Sequence, residues 1–191
     1  MVVKLGPQTR YARAAMSSLA DRLVSYAEYH RDKRNIATHF VGIPMIVVGA
    51  QSALARIGIG PINAAAAATG LATRYYRALD PRYGAAMGAI LTATYGAGTA
   101  LAALPAPLWA GATAGLFFGG WALQFLGHYF EGKKPAFLDD LRGLLDGPLF
   151  LVAETAFALG LSPELRAEVE RRAGPTRWGH VAPAPDLAAV S

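Results

Sequence analysis

Two short stretches hold the residues whose types and spacing could do chemistry. The first, Tyr26-Ala-Glu-Tyr-His30-Arg-Asp32-Lys-Arg-Asn35-Ile-Ala-Thr-His39-Phe-Val-Gly-Ile-Pro44, carries two of the chain's 4 histidines at the border between a charged segment and an apolar run. The second mirrors it, because an apolar run ends in Trp121, Gln124, His128, Glu131, Lys133, Lys134 and Pro135. Read as a helix, Trp121, Gln124, His128 and Glu131 step by three, four and three and fall within about 80° of one another. Such a polar ridge at the end of an apolar helix is costly in hydrocarbon unless something uses it. Three imidazoles and a carboxylate brought together suit zinc or iron, and such ligands with an open position suit Fe(II) and oxygen. The competing reading has the same side chains only reaching for water and backbone at a membrane edge. The residues alone leave both readings standing.

The elements that must position these residues follow from periodicity. Ser17 to Arg34 reads as a helix with Leu19, Leu23, Tyr26 and His30 on one face. Asn35 then predicts a cap for a second helix. That break matters, because on one continuous helix His30 and His39 would point to opposite sides at about 100° per residue. Phe40–Ile59, Pro61–Ala72 (running on to Tyr75-Tyr76), Gly84–Leu104 and Leu108–Leu126 are apolar, and a bilayer span needs roughly 20 such residues. Gly84, Gly88, Gly96 and Gly98 predict a close helix contact. Pro148–Leu161 is shorter and reads as a re-entrant or interfacial helix, whose Glu154 should face protein or water. Ser162-Pro163-Glu164 starts a charged amphipathic helix.

The predicted architecture is all-α: a polytopic membrane bundle of about four transmembrane helices plus the re-entrant or interfacial one. A basic tail over residues 1–16 and a Pro/Ala-rich, disordered tail over 173–191 flank one catalytic domain at 17–172.

Composition supports a membrane setting. The chain has 191 residues, 53% hydrophobic and 16% charged, against about 25% charged in soluble domains; its mean hydropathy is +0.28. Its net charge of +5 comes from islands of Lys and Arg between apolar runs, a positive-inside pattern rather than a nucleic-acid groove. With four spans, every island falls on one side, which places both termini and both histidine stretches in the cytoplasm at a bacterial inner membrane. The absence of cysteine excludes thiol catalysis, disulfides and iron–sulfur clusters. No Gly-x-Ser-x-Gly or phosphate loop is present. Lys133 and Lys134 could hold a substrate carboxylate, or serve only as positive-inside anchors. Tyr26 and Tyr29 could face the site, and His180 sits in the tail without an evident role.

The motifs also resemble a family. His30-x-Asp32-x-x-Asn35-x-x-x-His39-Phe-Val-Gly-Ile-Pro44, Tyr75-Tyr76-x-x-Leu79-Asp80, Trp121-x-x-Gln124-Phe-Leu-Gly-His128-x-x-Glu131-Gly-Lys-Lys-Pro135-Ala and Pro148-Leu-Phe-x-x-Ala-Glu154 are similar to those of the Mpo-type membrane proteins related to a fungal 2-hydroxy fatty acid dioxygenase. Asp32 departs from the asparagine usual there. The resemblance implies Fe(II) as cofactor, 2-hydroxy fatty acids and O2 as substrates, and release of CO2 with the one-carbon-shorter acid. It implies His30, His39 and His128 as metal ligands, with Glu131 a fourth ligand or an orienting partner. Gln124 and Asn35 would orient ligands or oxygen, and Lys133, Lys134 and Tyr26 would bind substrate. A lipid-binding scaffold and a zinc-dependent lipid hydrolase are the alternatives.

Overall fold

The computed structural model describes residues 19–59 and 62–179. The expected tail at 1–16, most of the tail at 173–191 and His180 lie outside them. A first helix, α1, covers residues 19–27. It is followed by α2 (Lys33–Ala55), a two-residue hairpin of β1 (Gly58–Ile59) and β2 (Ile62–Asn63), then α3 (Ala64–Leu79), α4 (Pro81–Ala102) and α5 (Ala106–Glu131). A 3-10 turn at Ala136–Leu138 leads to α6 (Gly143–Ala158) and α7 (Pro163–Ala173). The fold is all-α apart from the hairpin.

The break between α1 and α2 falls earlier than predicted. Helix α1 ends at residue 27, His30 and Arg31 lie outside any helix, and the cap of α2 is Asp32 rather than Asn35. The Asp32 side chain accepts from Arg34 N at 2.9 Å, as a carboxylate at a helix N-terminus should. Asn35 lies one turn inside, and its amide reaches elsewhere. Ser162 likewise precedes α7 without a side-chain capping bond; it lies 3.0 Å from the Tyr83 hydroxyl instead. Residues 176–178 were expected in the tail, yet Arg177 is bonded between Arg31 and Lys33, accepting from Lys33 N and donating to Arg31 O at 2.8 Å each.

Helices α2 to α5 run alternately up and down. At one end Ser52 Oγ meets Thr113 Oγ1 at 2.9 Å and receives Trp109 Nε1 at 3.1 Å, while Gln51 Nε2 donates to Thr69 Oγ1 and to Leu91 O. At the other end lie His39, Tyr76, Tyr83 and His128. Tyr76, expected as an interface aromatic, is instead buried and donates its hydroxyl to Leu145 O at 2.8 Å. Helices α2 and α4 are long and apolar enough to cross a membrane, as is α6–α7 if that pair, bent by 117°, is counted as one span. Helix α3, with 16 residues, is short. Helix α5 has 26 residues but carries Gln124, His128 and Glu131.

Glycine sets how closely α2 and α5 cross. A methyl on Gly42 would lie 2.8 Å from Gly120 O, and one on Gly120 would lie 2.6 Å from Gly42 O. Gly127 packs against Asn35 and Thr38 in the same way. Of the predicted α4 glycines, Gly84, Gly88 and Gly98 do meet neighbouring helices, whereas Gly96 faces open space. Small residues are what let backbones approach in a membrane bundle. Gly120→Ala is therefore expected to lower stability by about 1–3 kcal/mol through overpacking. Gly115→Ala, whose added methyl meets nothing within 4 Å, should leave thermal unfolding in detergent unchanged. Equal effects from the two would contradict the crossing.

Candidate metal centre

The α1–α2 break presents His30, the first turns of α2 present Asn35 and His39, and the last turns of α5 present Gln124, His128 and Glu131. All six are buried. The imidazoles of His30, His39 and His128 pack edge to face, with ring centroids 4.6 to 5.2 Å apart. One nitrogen from each lies within 4.8 Å of the other two. Tyr26 lies flat on His30, with centroids 3.9 Å apart and planes 5° from parallel.

Hydrogen bonding fixes the tautomers. His30 Nδ1 lies 2.7 Å from Tyr26 O, and His39 Nδ1 lies 2.9 Å from Asn35 O. A carbonyl only accepts, so both Nδ1 atoms carry the proton and both Nε2 atoms present a lone pair. Yet the two Nε2 atoms face each other at 3.1 Å. Protonation of one could relieve the repulsion, but burial, reinforced by the neighbouring His39, pushes the pKa of His30 well below the usual histidine range. A cation shared by both lone pairs resolves the conflict. Nitrogens bound at about 2.1 Å and at right angles to one another sit about 3.0 Å apart, near the separation present. His128 adds a third imidazole. The residues fit a metal held by three histidines.

Glu131 has other work. Its Oε1 accepts from Arg31 N at 3.1 Å, and its Oε2 accepts from Asp32 N at 2.7 Å and Asn35 Nδ2 at 3.2 Å. The carboxylate thus ties the end of α5 to the α1–α2 break. It also holds the Asn35 side-chain amide, in the same residue whose main-chain carbonyl accepts from His39 Nδ1.

A cavity of about 70 Å³ adjoins the cluster, lined on its polar side by His39, His128 and Gln124 and elsewhere by Tyr26, Trp121 and Ile43. Gln124 Nε2 is buried against Gly42 of α2 and has no hydrogen-bond partner among the described residues.

Residues 16–159 match the family model described as 2-hydroxy-palmitic acid dioxygenase Mpo1-like. The chain belongs to the Mpo1-like family. It is 32% identical over 155 residues to the 2-hydroxy-palmitic acid dioxygenase MPO1 of Saccharomyces cerevisiae, an alignment covering 80% of this chain and 87% of that protein. No solved structure matches it.

In this Mpo1-like chain the structure gathers His30, His39, His128, Gln124, Asn35, Glu131 and Tyr26, but not the two lysines. Lys133 Nζ donates to Glu28 O at 2.7 Å, and Lys134 pairs with Asp139, both at the exposed surface. Positive charge alone does not say which way a flexible side chain turns. Residues that sequence reasoning passed over also support the site. Arg177 Nη2 lies 3.8 Å from Glu131 Oε1. Buried Arg31 reaches Glu154 at 3.4 Å, the protein partner expected for that carboxylate. Gly147 admits α6 against the Tyr26 hydroxyl and Ile43, where a methyl would sit 2.9 and 3.1 Å away. The Gly-Pro pair at 147–148 was the one signal available for it.

Proposed function

We propose that this chain is a membrane-bound Fe(II) dioxygenase that converts a 2-hydroxy fatty acid and O2 into the one-carbon-shorter acid, CO2 and water. The atoms balance without a reducing cosubstrate. The observation that carries the reading is the pair of unprotonated Nε2 atoms of His30 and His39 facing each other 3.1 Å apart, in a family whose yeast relative is named a 2-hydroxy-palmitic acid dioxygenase. Fe(II), when bound, supplies a redox centre at which oxygen and an α-hydroxy carboxylate can both be held. His30, His39 and His128 hold it. Glu131 and Asn35 keep His30 and His39 in register. Gln124 Nε2 donates to the acid's carboxylate, and the Tyr26 ring shields the site from water on the His30 side.

The test is metal analysis of protein purified in mild detergent, followed by product analysis with 2-hydroxyhexadecanoate in air and under argon. Stoichiometric iron and formation of pentadecanoate only in air are expected. Zinc with oxygen-independent activity would replace this reading with a lipid hydrolase. No bound metal and no turnover would leave a non-enzymatic scaffold.

The reading has helices α2 to α5 crossing the bilayer, with both histidine stretches on the cytoplasmic side. The protein contains no native cysteine, so single cysteines report topology cleanly. Lys33→Cys and Lys134→Cys should both resist an impermeant thiol reagent in intact bacterial cells, and Ala106→Cys should react. Labelling of one histidine flank but not the other would sink the shared site.

A further inference from the structure

An apolar groove of about 410 Å³ runs between α2, α4 and α6, within the size range of small-molecule pockets. Its lining includes Met87, Leu91 and Thr94 of α4 and Val152 of α6. It shares three wall residues, Ile43, Val47 and Pro148, with the cavity beside the histidines. One set of side chains therefore faces the histidine cavity on one side and the groove on the other. Groove residues Phe40, Ile90 and Leu159 are 41%, 46% and 67% exposed, so the groove is open along the side that a bilayer would cover.

We propose that this groove holds the acyl chain of the substrate, entered sideways from the bilayer, and that Val152 and Thr94 help set the chain length accepted. The proposal rests on the reading of the site as one for 2-hydroxy acids. A head group beside His39, His128 and Gln124 would have the groove directly behind the wall of Ile43, Val47 and Pro148, so a chain that passes this wall reaches the larger apolar space. The small cavity cannot take the chain itself. The occupant is a single flexible apolar chain ending in a polar group, because the groove is almost wholly apolar and borders the histidine cavity across a shared wall.

The test uses the full-length protein in detergent with 2-hydroxyhexadecanoic acid carrying a diazirine at its terminal carbon. After photolysis, mass spectrometry should place the adduct within residues 86–94 and 151–159, and excess unlabelled 2-hydroxyhexadecanoate should remove it. Val152→Trp should lower kcat/KM for that acid on the order of tenfold, the effect of leaving about two methylenes unburied, with 2-hydroxyoctanoate little changed. Adducts confined to other helices, or adducts that excess unlabelled acid does not remove, would overturn the groove assignment even if the acid is turned over. Competed adducts in the groove without turnover would keep the binding site and overturn the dioxygenase reading instead.

Discussion

His39→Ala should purify as an inserted, helical protein that holds no stoichiometric metal and forms no shortened acid. His39 offers one of two lone pairs that meet 3.1 Å apart, and its other nitrogen is committed to Asn35 O. Removing it takes away one of the three clustered imidazoles, while Glu131 is engaged by Arg31 N, Asp32 N and Asn35 Nδ2 and Asn35 Oδ1 is packed against Gly127. The loss should exceed the roughly 10–100-fold that follows removal of a supporting partner of a metal site. Metal analysis and product analysis of the purified variant check both halves. Full metal content in His39→Ala would end the three-histidine site.

Glu131→Gln is expected to give the second largest effect while keeping every histidine. The carboxylate accepts from two backbone amides and from the Asn35 side chain, all from one segment. Buried and charged, it makes the stronger class of hydrogen bond. A neutral amide of the same shape has one acceptor oxygen in place of two and brings two donors of its own to a place crowded with donors. Leaving buried groups unpaired costs about 1–3 kcal/mol, and the error passes through Asn35 to His39. Metal affinity should fall roughly 10–100-fold, with activity partly recovered at raised Fe(II). A ligand lost outright would not be rescued in that way by metal concentration, and an unchanged affinity would show that Glu131 positions nothing.

The helical ridge of Gln124, His128 and Glu131 was legible because a single helix fixes the relation between its own residues. The meeting of that ridge with His30 and His39 was legible only as a requirement, since even parity of crossings says which residues share an end and not which touch. The break before α2 was placed at Asn35 because Asp and Asn are near-equivalent caps. What separates them is Glu131, which draws the Asn35 amide away and leaves the capping place to Asp32. For Glu131 the sequence left a fourth ligand and an orienting partner both open, because nothing in a carboxylate's sequence position says that its partners will be backbone amides. The reciprocal seats of Gly42 and Gly120 were hidden for a related reason: a glycine's value lies in the residue opposite. Arg177 fell in a stretch whose Pro/Ala bias suggested disorder, although it closes the strap beside His30.

The distance along the chain between the donors has a consequence for how the protein is made. His30 and His39 leave the ribosome together, but the rest of α2, all of α3 and α4 and most of α5 separate their segment from the third imidazole and from Glu131. At the usual pace of synthesis that interval lasts roughly 5–20 s. Throughout it the amino-terminal pair has neither its carboxylate tie nor its third donor, so a passing ion finds only a weak two-nitrogen site. On the proposed reading, metal selection is deferred until α5 has been made and packed, and a chain that stalls earlier carries no reactive centre.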